Sequence, residues 1–192
     1  MITTAPTRDR LVAAAHDVVR EGGYAAASVA AVAERAGTGA STLYRHFPSK
    51  GQLFVEVFRT VCEGEIRAAE AAAAAHDDPV AQVLAWVRTF CARALAAPRL
   101  AWALIAEPVD PLVEAERLAF RRSYRDGIAG RIAAGVAAGR LPAQDPHLSA
   151  AALVGALGEA LVGPTSPDAV DPDLSAHLQE LMAFTRRALG DA

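Results

Sequence analysis

Between residues 28 and 50 lies a dense set of side chains that donate hydrogen bonds or carry positive charge, among them Ser28, Thr38, Ser41, Thr42, Tyr44, Arg45, His46 and Lys50. Hydroxyl, phenol, guanidinium and ammonium groups donate to phosphate oxygens without reading a base sequence, and some of them also reach base edges. These residues can therefore bind a nucleic acid, provided that the local structure presents them on one surface.

The spacing of apolar residues predicts a short helix at the start of this stretch. Ser28 is a good N-cap, because its hydroxyl accepts a hydrogen bond from an otherwise unpaired helical N–H group. Val29, Val32, Ala33 and Ala36 then recur at helical spacing. The sequence therefore predicts a helix of about two turns after Ser28.

A glycine turn and a second helix follow. Gly37 and Gly39 bracket Thr38, and glycine reaches positive φ at low cost, so the chain can turn sharply there. The second helix is predicted over residues 40–47, and residues 49–52 have the form of a capping box that begins a third helix. Such a pair is typical of a helix-turn-helix unit, in which the second helix enters the DNA major groove.

The same residues resemble the TetR family of bacterial transcriptional regulators. The resemblance is most specific in Gly37, Thr42-Leu43-Tyr44, His46-Phe47 and Ser49-Lys50. It covers roughly residues 8–58, where Arg10, Ala14-Ala15, Gly23-Tyr24 and Ser28-Val29 also fit the family's pattern. It implies a homodimer that binds double-stranded operator DNA through its N-terminal domain.

The resemblance also implies roles for individual side chains. Thr42, Tyr44 and Lys50 match positions that contact phosphates, and Ser28 adds another phosphate contact at the head of its helix. His46 is expected at the same backbone or at the base of the groove. Lys50 is the only lysine of the chain, so the single compact ammonium group stands where the motif requires one.

Direct readout of bases is expected to be limited. Three exposed positions near the predicted reading helix carry no polar side chain, namely Ala30, Gly39 and Ala40. The remaining candidates are Thr38, Ser41 and Arg45, with Arg8 or Arg10 on a flexible arm near the minor groove. DNA shape and phosphate geometry should therefore carry much of the recognition.

Charge divides the chain of 192 residues into two parts. Residues 1–60 hold seven basic and five acidic side chains, whereas the remainder holds twelve basic and seventeen acidic ones. The net charge of −3 thus combines a basic head with an acidic body. This asymmetry is expected when one end of a protein meets DNA and the other does not.

The body is punctuated by Asp-Pro pairs at 78–79, 110–111, 145–146 and 171–172. Aspartate suits an N-cap and proline suits the first helical position, so each pair predicts a helix start. The predicted helices are 49–75, 79–97, 99–106, 112–138, 146–162 and 173–189, with Gly163-Pro164 as one of the stops. We therefore predict an all-α fold of about nine helices, with a three-helix DNA-binding head at residues 1–48 and a larger ligand-binding and dimerisation domain at 49–192.

The last two helices indicate how the chain dimerises. Large apolar residues form a stripe beside small residues that permit close helix approach. Paired with a second copy, the predicted interface residues Leu153, Leu157, Leu161, Leu178 and Leu181 would form an intermolecular four-helix bundle. The alternative is that both faces pack inside one monomer.

Aromatic residues on three neighbouring helices suggest a binding pocket for an unknown small-molecule effector: Trp86, Phe90, Trp102, Phe120 and Tyr124. The alternative is that they are simply core.

Arg117, Arg121 and Arg125 form a like-charge column on one helix, with Arg122 beside them. Glu107, Glu114 or an anionic ligand could balance the positive charge of this column. The alternative is that the column is a solvated, partly paired face.

Other function classes receive little support. The five histidines and two cysteines show no metal-ligand spacing, and the chain has no glycine-rich phosphate loop and no Gly-x-Ser-x-Gly elbow. We therefore predict no catalytic residue, no metal and no cofactor.

No secretory or membrane-spanning segment is predicted, because Glu159 interrupts the apolar run 148–162, and a cytoplasmic location follows. The interpretation that competes with effector binding is a DNA-binding protein whose body only dimerises or binds other proteins.

Overall fold

A computed structural model describes residues 7–170 and 173–191, and all nine elements within these ranges are α-helices. The all-α prediction is confirmed. The helices are α1 (Thr7–Ala26), α2 (Val29–Arg35), α3 (Ala40–His46), α4 (Lys50–Ala74), α5 (Pro79–Ala96), α6 (Pro98–Ile105), α7 (Pro111–Ala137), α8 (Pro146–Thr165) and α9 (Leu174–Leu189).

The predicted aspartate caps are present at the starts of α5, α7 and α8. The carboxylates of Asp78, Asp110 and Asp145 each accept a backbone N–H of the first turn, at 2.9 to 3.1 Å. The fourth pair, at 171–172, lies outside the described residues. Asp173 caps α9, because its carboxylate accepts the N–H of Ala176 at 2.9 Å.

The prediction that Gly163-Pro164 ends α8 is wrong, because the helix continues to Thr165. Proline inside a helix removes the N–H that would bond the carbonyl four residues earlier. Here that carbonyl, of Ala160, is contacted by the ring nitrogen Nε2 of His177 on α9 at 3.1 Å. A neighbouring helix therefore compensates for the missing donor.

Two hydrophobic cores share one long helix. The head core joins α1, α2 and α3 to the first half of α4, where Leu53 and Phe54 are buried. The body core joins α5, α7, α8 and α9 to the second half of α4, where Ala69 and Ala73 are buried. Phe120 of α7 packs against both cores, so head and body are connected through apolar contacts.

Helix α8 combines an apolar composition with low burial. By length and composition it is one helix in the described part of the chain that could cross a membrane, and the bent pair α5 and α6 passes the same test jointly. In this fold Ala150, Leu153, Leu157 and Leu161 pack into the body core. Only 28% of the apolar window of α8 is buried in the single chain, so much of its remaining surface is apolar and open.

Candidate nucleic-acid interface and cavity

Helix α3 is held by its apolar face. Leu43 and Phe47 are 0% and 2% exposed, and both belong to the head core. Ser28 caps α2 as predicted, because its Oγ accepts the N–H of Ala31 at 3.1 Å. The polar residues of α3 are left on the outer face of the head.

The turn between α2 and α3 depends on one glycine. Gly37 has φ of 64°, and the N–H of Thr38 that follows donates to Ala33 O at 2.9 Å, which closes the end of α2. Gly39 is extended, with φ of −86°, and serves as the N-cap of α3. Only Gly37 of the two therefore requires the left-handed conformation.

The predicted DNA-binding residues of α3 form an accessible surface. Ser41, Tyr44, Arg45 and His46 are exposed, Tyr44 by 52%. Arg45 Nη2 donates to Thr42 Oγ1 at 3.1 Å, which orients both side chains on the outer face. Thr38 is half-buried beside them, in the turn.

Lys50 lies at the edge of this surface in a site built by the head. Its Nζ donates to Tyr24 O at 3.2 Å and lies 4.3 Å from the ring centroid of Tyr24 and 5.4 Å from that of Phe54. Burial lowers the pKa of Lys50, and the nearby Glu107 carboxylate opposes that shift. The ammonium group is thus positioned by aromatic faces and one carbonyl.

The expected flexible arm is wrong for both arginines. Arg8 and Arg10 lie within α1, and each has a partner. Arg8 pairs with Glu56 at 2.7 Å, and Arg10 donates to the carbonyl of Ala36 at the end of α2 at 2.7 Å. These side chains stabilise the head, since their positive groups are engaged within it.

A buried carboxylate joins the head to the body. Glu107, just after α6, is 8% exposed, and its oxygens accept the backbone N–H groups of Tyr24 and Ala25 at 2.7 and 2.9 Å. Gly23 interrupts α1 there with φ of 81°. A β-carbon on Gly23 would lie 3.0 Å from Glu107 Oε2, so glycine is required both by the conformation and by the close approach.

Arg117 of α7 holds the segment that carries Glu107. Its Nη2 donates to Ala103 O at 3.2 Å and to Glu107 O at 2.8 Å, and its Nη1 donates to Glu114 at 2.7 Å. Burial lowers the pKa of Arg117, and the Glu114 carboxylate opposes that shift. The guanidinium group therefore ties the end of α6 to α7.

A cavity of about 260 Å³ lies between α4, α5, α6, α7 and α8. Its lining is mainly apolar and includes Phe90, Leu100, Leu104, Ile105, Phe120 and Leu157. The charged residues in the lining are Glu65, Arg93, Arg117 and Arg121. Two helices connect the cavity to the head: α4, whose Cys62 lines the cavity and belongs to the head core, and α6, which forms one wall and ends at the Glu107 segment.

The five predicted pocket residues are distributed unequally around this cavity. Phe90, Phe120 and Tyr124 line it, and the rings of Phe90 and Phe120 lie 4.8 and 5.8 Å from that of Tyr124. Trp86 is core instead, because its ring packs against Gly127 and beneath the Arg131 guanidinium group. Trp102 is half-buried and does not belong to the lining.

The predicted dimer leucines are used within the subunit. Leu153, Leu157 and Leu161 are 0 to 2% exposed and Leu181 is 6% exposed, because they pack in the body core. Leu178 is half-buried against the same core. The α8 leucines therefore pack inside one monomer, which is the alternative that the sequence left open. A dimer interface on α8 and α9 would have to use other faces of these helices.

Comparison with known proteins agrees with this architecture. The sequence model for bacterial regulatory proteins of the tetR family matches residues 11–57. The chain carries the N-terminal helix-turn-helix domain of the TetR family. It is a DNA-binding transcriptional regulator. No curated protein gave a sequence match.

Several solved structures share the fold of this chain. The fatty acid degradation regulator FadR from Bacillus halodurans matches with TM-score 0.80 and 19% identity over 95% of this chain and 96% of that chain. FadR from Bacillus subtilis, in complex with stearoyl-CoA, matches with TM-score 0.80 and 17% identity over 96% and 98%. A TetR/AcrR-family regulator from Thermobifida fusca matches with TM-score 0.66 and 22% identity over 93% and 95%.

The described residues offer little other candidate chemistry. Within residues 7–170 and 173–191 no three His, Cys, Asp or Glu side chains are placed to hold a metal ion. Cys62 and Cys91 are buried free thiols. Burial raises the pKa of Cys91 to about 12 and that of Cys62 even further, so both thiols are neutral near pH 7.

Sequence reasoning missed the clamp formed by Glu107. The sequence indicates Glu107 only as a partner for the arginine column, whereas its carboxylate binds backbone N–H groups 82 and 83 residues away. The local signal in the sequence is the glycine at position 23, because glycine allows the positive φ that breaks α1 there. Neither residue indicates the other in the sequence, because only the folded chain brings them together.

Replacing Glu107 by alanine should destabilise the folded chain. Two backbone N–H groups would lose a charged acceptor, which costs about 1–3 kcal/mol of unfolding free energy. Urea unfolding followed by circular dichroism measures this difference. Glu63→Ala is the control, because its pair with Arg67 is exposed and 3.6 Å long. An unfolding free energy for Glu107→Ala equal to that of the control would refute the clamp.

Proposed function

We propose that this regulator is a homodimeric repressor, and that a small-molecule effector releases it from operator DNA. The observation that carries the proposal is the apolar cavity, one wall of which is the helix that leads to the head-body clamp. A DNA-binding regulator acts at the chromosome, so the proposal places the protein in the cytoplasm.

The α3 surface is proposed to enter the major groove. Its accessible donors supply phosphate contacts from Thr42, Tyr44 and Lys50, with Ser28 and His46 beside them. Thr38, Ser41 and Arg45 remain for base edges. Among the described cations of the head, Arg8, Arg35 and Arg59 are paired with carboxylates, whereas Arg45 and Lys50, on or beside α3, have no carboxylate partner within the described residues.

Replacing Lys50 by glutamine should weaken binding to all DNA sequences and flatten its salt dependence. A dimer loses two phosphate contacts, so the slope of log K against log salt should fall by about two units. Tyr44→Phe removes a neutral donor and should weaken binding without changing the slope. Fluorescence anisotropy on specific and random duplexes measures both effects.

The control for this test is Arg67→Gln, which removes a positive charge on the body half of α4. Its salt slope should equal that of the wild type. Thermal unfolding checks that the Lys50 variant retains its head, because Lys50 also donates to Tyr24 O. A folded Lys50→Gln protein with the wild-type slope would remove the phosphate role.

A second copy of the chain is proposed to cover the open face of α8. A helix that is apolar on all sides is normally buried on all sides, yet the single chain leaves this face accessible. Ala151, Ala152 and Gly155 are exposed there, and Phe184 of α9 is 38% exposed. Two heads joined through this face can meet half-sites roughly 34–36 Å apart, one DNA turn.

Replacing Gly155 by arginine should separate the dimer into monomers. A β-carbon at Gly155 meets nothing within 4 Å in the single chain, so the fold accepts the side chain while the close approach of a second α8 does not. Gly130→Arg on α7 is the matched control, because its β-carbon also meets nothing within 4 Å. Sedimentation velocity measures the mass. A dimeric Gly155→Arg protein would contradict the proposed face.

The effector is proposed to be a largely apolar molecule. The lining supplies mainly aliphatic and aromatic surface, and the fold resembles FadR from Bacillus subtilis, which was solved with stearoyl-CoA. The alternative, a body that serves only dimerisation or protein partners, would not require a cavity. The cavity therefore favours ligand sensing.

The path from cavity to head runs through α6. Leu100, Leu104 and Ile105 line the cavity, and the helix ends at the segment held by Arg117. An effector that displaces α6 would shift Glu107 and the backbone of Tyr24 and so change the spacing of the two heads. Such coupling is typically about 1–3 kcal/mol, enough to shift operator affinity 5- to 150-fold.

Filling the cavity should abolish binding of a neutral apolar dye. Ala101 of α6 is 6% exposed and lines the cavity, so Ala101→Phe places a ring in the space. Nile red fluorescence should rise with wild-type protein and with Ala133→Phe, an exposed α7 control outside the lining, and stay low with Ala101→Phe. Equal dye binding by a folded Ala101→Phe protein would locate the dye elsewhere and remove the cavity from the proposal.

A further inference from the structure

The charges around the cavity do not cancel. Glu65 and Arg93 neutralise each other, because the Nε and Nη2 atoms of Arg93 donate to the two Glu65 oxygens at 2.7 and 2.8 Å. Arg117 is paired with Glu114 and bound to two carbonyls. Arg121 is the remaining charged residue of the lining, and within the described chain its guanidinium group has no hydrogen bond or ion pair.

Arg121 lies where a ligand's polar end would emerge. Arg121 is an exposed residue of a lining that is otherwise mainly apolar, so it lies where the cavity opens to solvent. Nη2 lies 4.0 Å from the position of a β-carbon built on Gly158 of α8. The glycine leaves the space beside the guanidinium group open.

From this arrangement we infer that the effector is an amphipathic anion, whose apolar chain fills the cavity and whose negative group pairs with Arg121. The inference rests on the proposed effector function and specifies the chemistry of the ligand. A buried 150 Å³ cavity accommodates benzene, so this cavity has room for about ten carbon atoms of chain. Arg121 is then the residue that distinguishes anionic from neutral chains.

The remainder of the arginine column provides an internal comparison. Arg125 contacts Asp126 at 3.4 Å and does not line the cavity. Arg122 is exposed, adjacent to Arg121 in sequence, and also outside the lining. If α7 attracted anions only through its overall positive charge, replacing Arg121 or Arg122 would weaken anion binding to the same extent.

Displacement of Nile red by three probes with the same ten-carbon chain tests the inference. Decanoate and decanoyl-CoA carry a negative end, and decanol does not. Arg121→Gln should weaken binding of at least one anionic probe about fivefold, the factor for an exposed ion pair, and leave decanol unchanged. Arg122→Gln should leave all three unchanged. Raising the ionic strength should weaken the same anion's binding more in the wild type than in Arg121→Gln.

The outcomes identify which anion binds, and they show separately whether the role of Arg121 or the effector cavity itself fails. If only decanoate or only decanoyl-CoA responds to Arg121→Gln and releases operator DNA, that probe identifies the source. Unchanged anion binding in Arg121→Gln, an equal loss for decanol, or an equal effect of Arg122→Gln would overturn the role of Arg121. A mass change of Arg121→Gln in sedimentation, with anion binding retained, would assign Arg121 to the dimer instead. Failure of Nile red to bind the wild type would overturn the effector cavity itself.

Discussion

The junction between head and body depends on one buried carboxylate that binds two backbone N–H groups. Glu107 accepts the N–H groups of Tyr24 and Ala25, where Gly23 breaks α1 and exposes them. Lys50 donates to the carbonyl of the same Tyr24. One peptide segment is therefore held by a negative group from the body and by the ammonium group of Lys50 in the head.

In this arrangement the short helix α6 lies between the cavity and the junction. It contributes Leu100 and Leu104 to the cavity wall, and its end is fixed to α7 by Arg117. In the proposed mechanism a displacement of this wall changes the hydrogen bonds at the clamp, because packed interiors transmit strain. The proposed repressor uses that connection, and the DNA-facing residues themselves need no contact with the effector.

Local chemistry explains why some predictions succeeded. An aspartate cap and its acceptor bonds lie within three residues, so Asp78, Asp110 and Asp145 could be assigned from their neighbours alone. The outer face of α3 was likewise predictable, because Leu43 and Phe47 mark the inner face at helical spacing. The end of α8 was not predictable, because His177, from another helix, contacts the carbonyl that Pro164 leaves without a donor.

The sequence by itself determined the all-α class, the helix starts and the helix-turn-helix surface, since capping and apolar periodicity act over one to four residues. Only the tertiary structure decided that Trp86 and the α8 leucines are core, that Arg8 and Arg10 are engaged in the head, and that Glu107 reaches α1. A periodic stripe shows that a face is buried, but the partner that buries it is chosen by packing between residues distant in the chain.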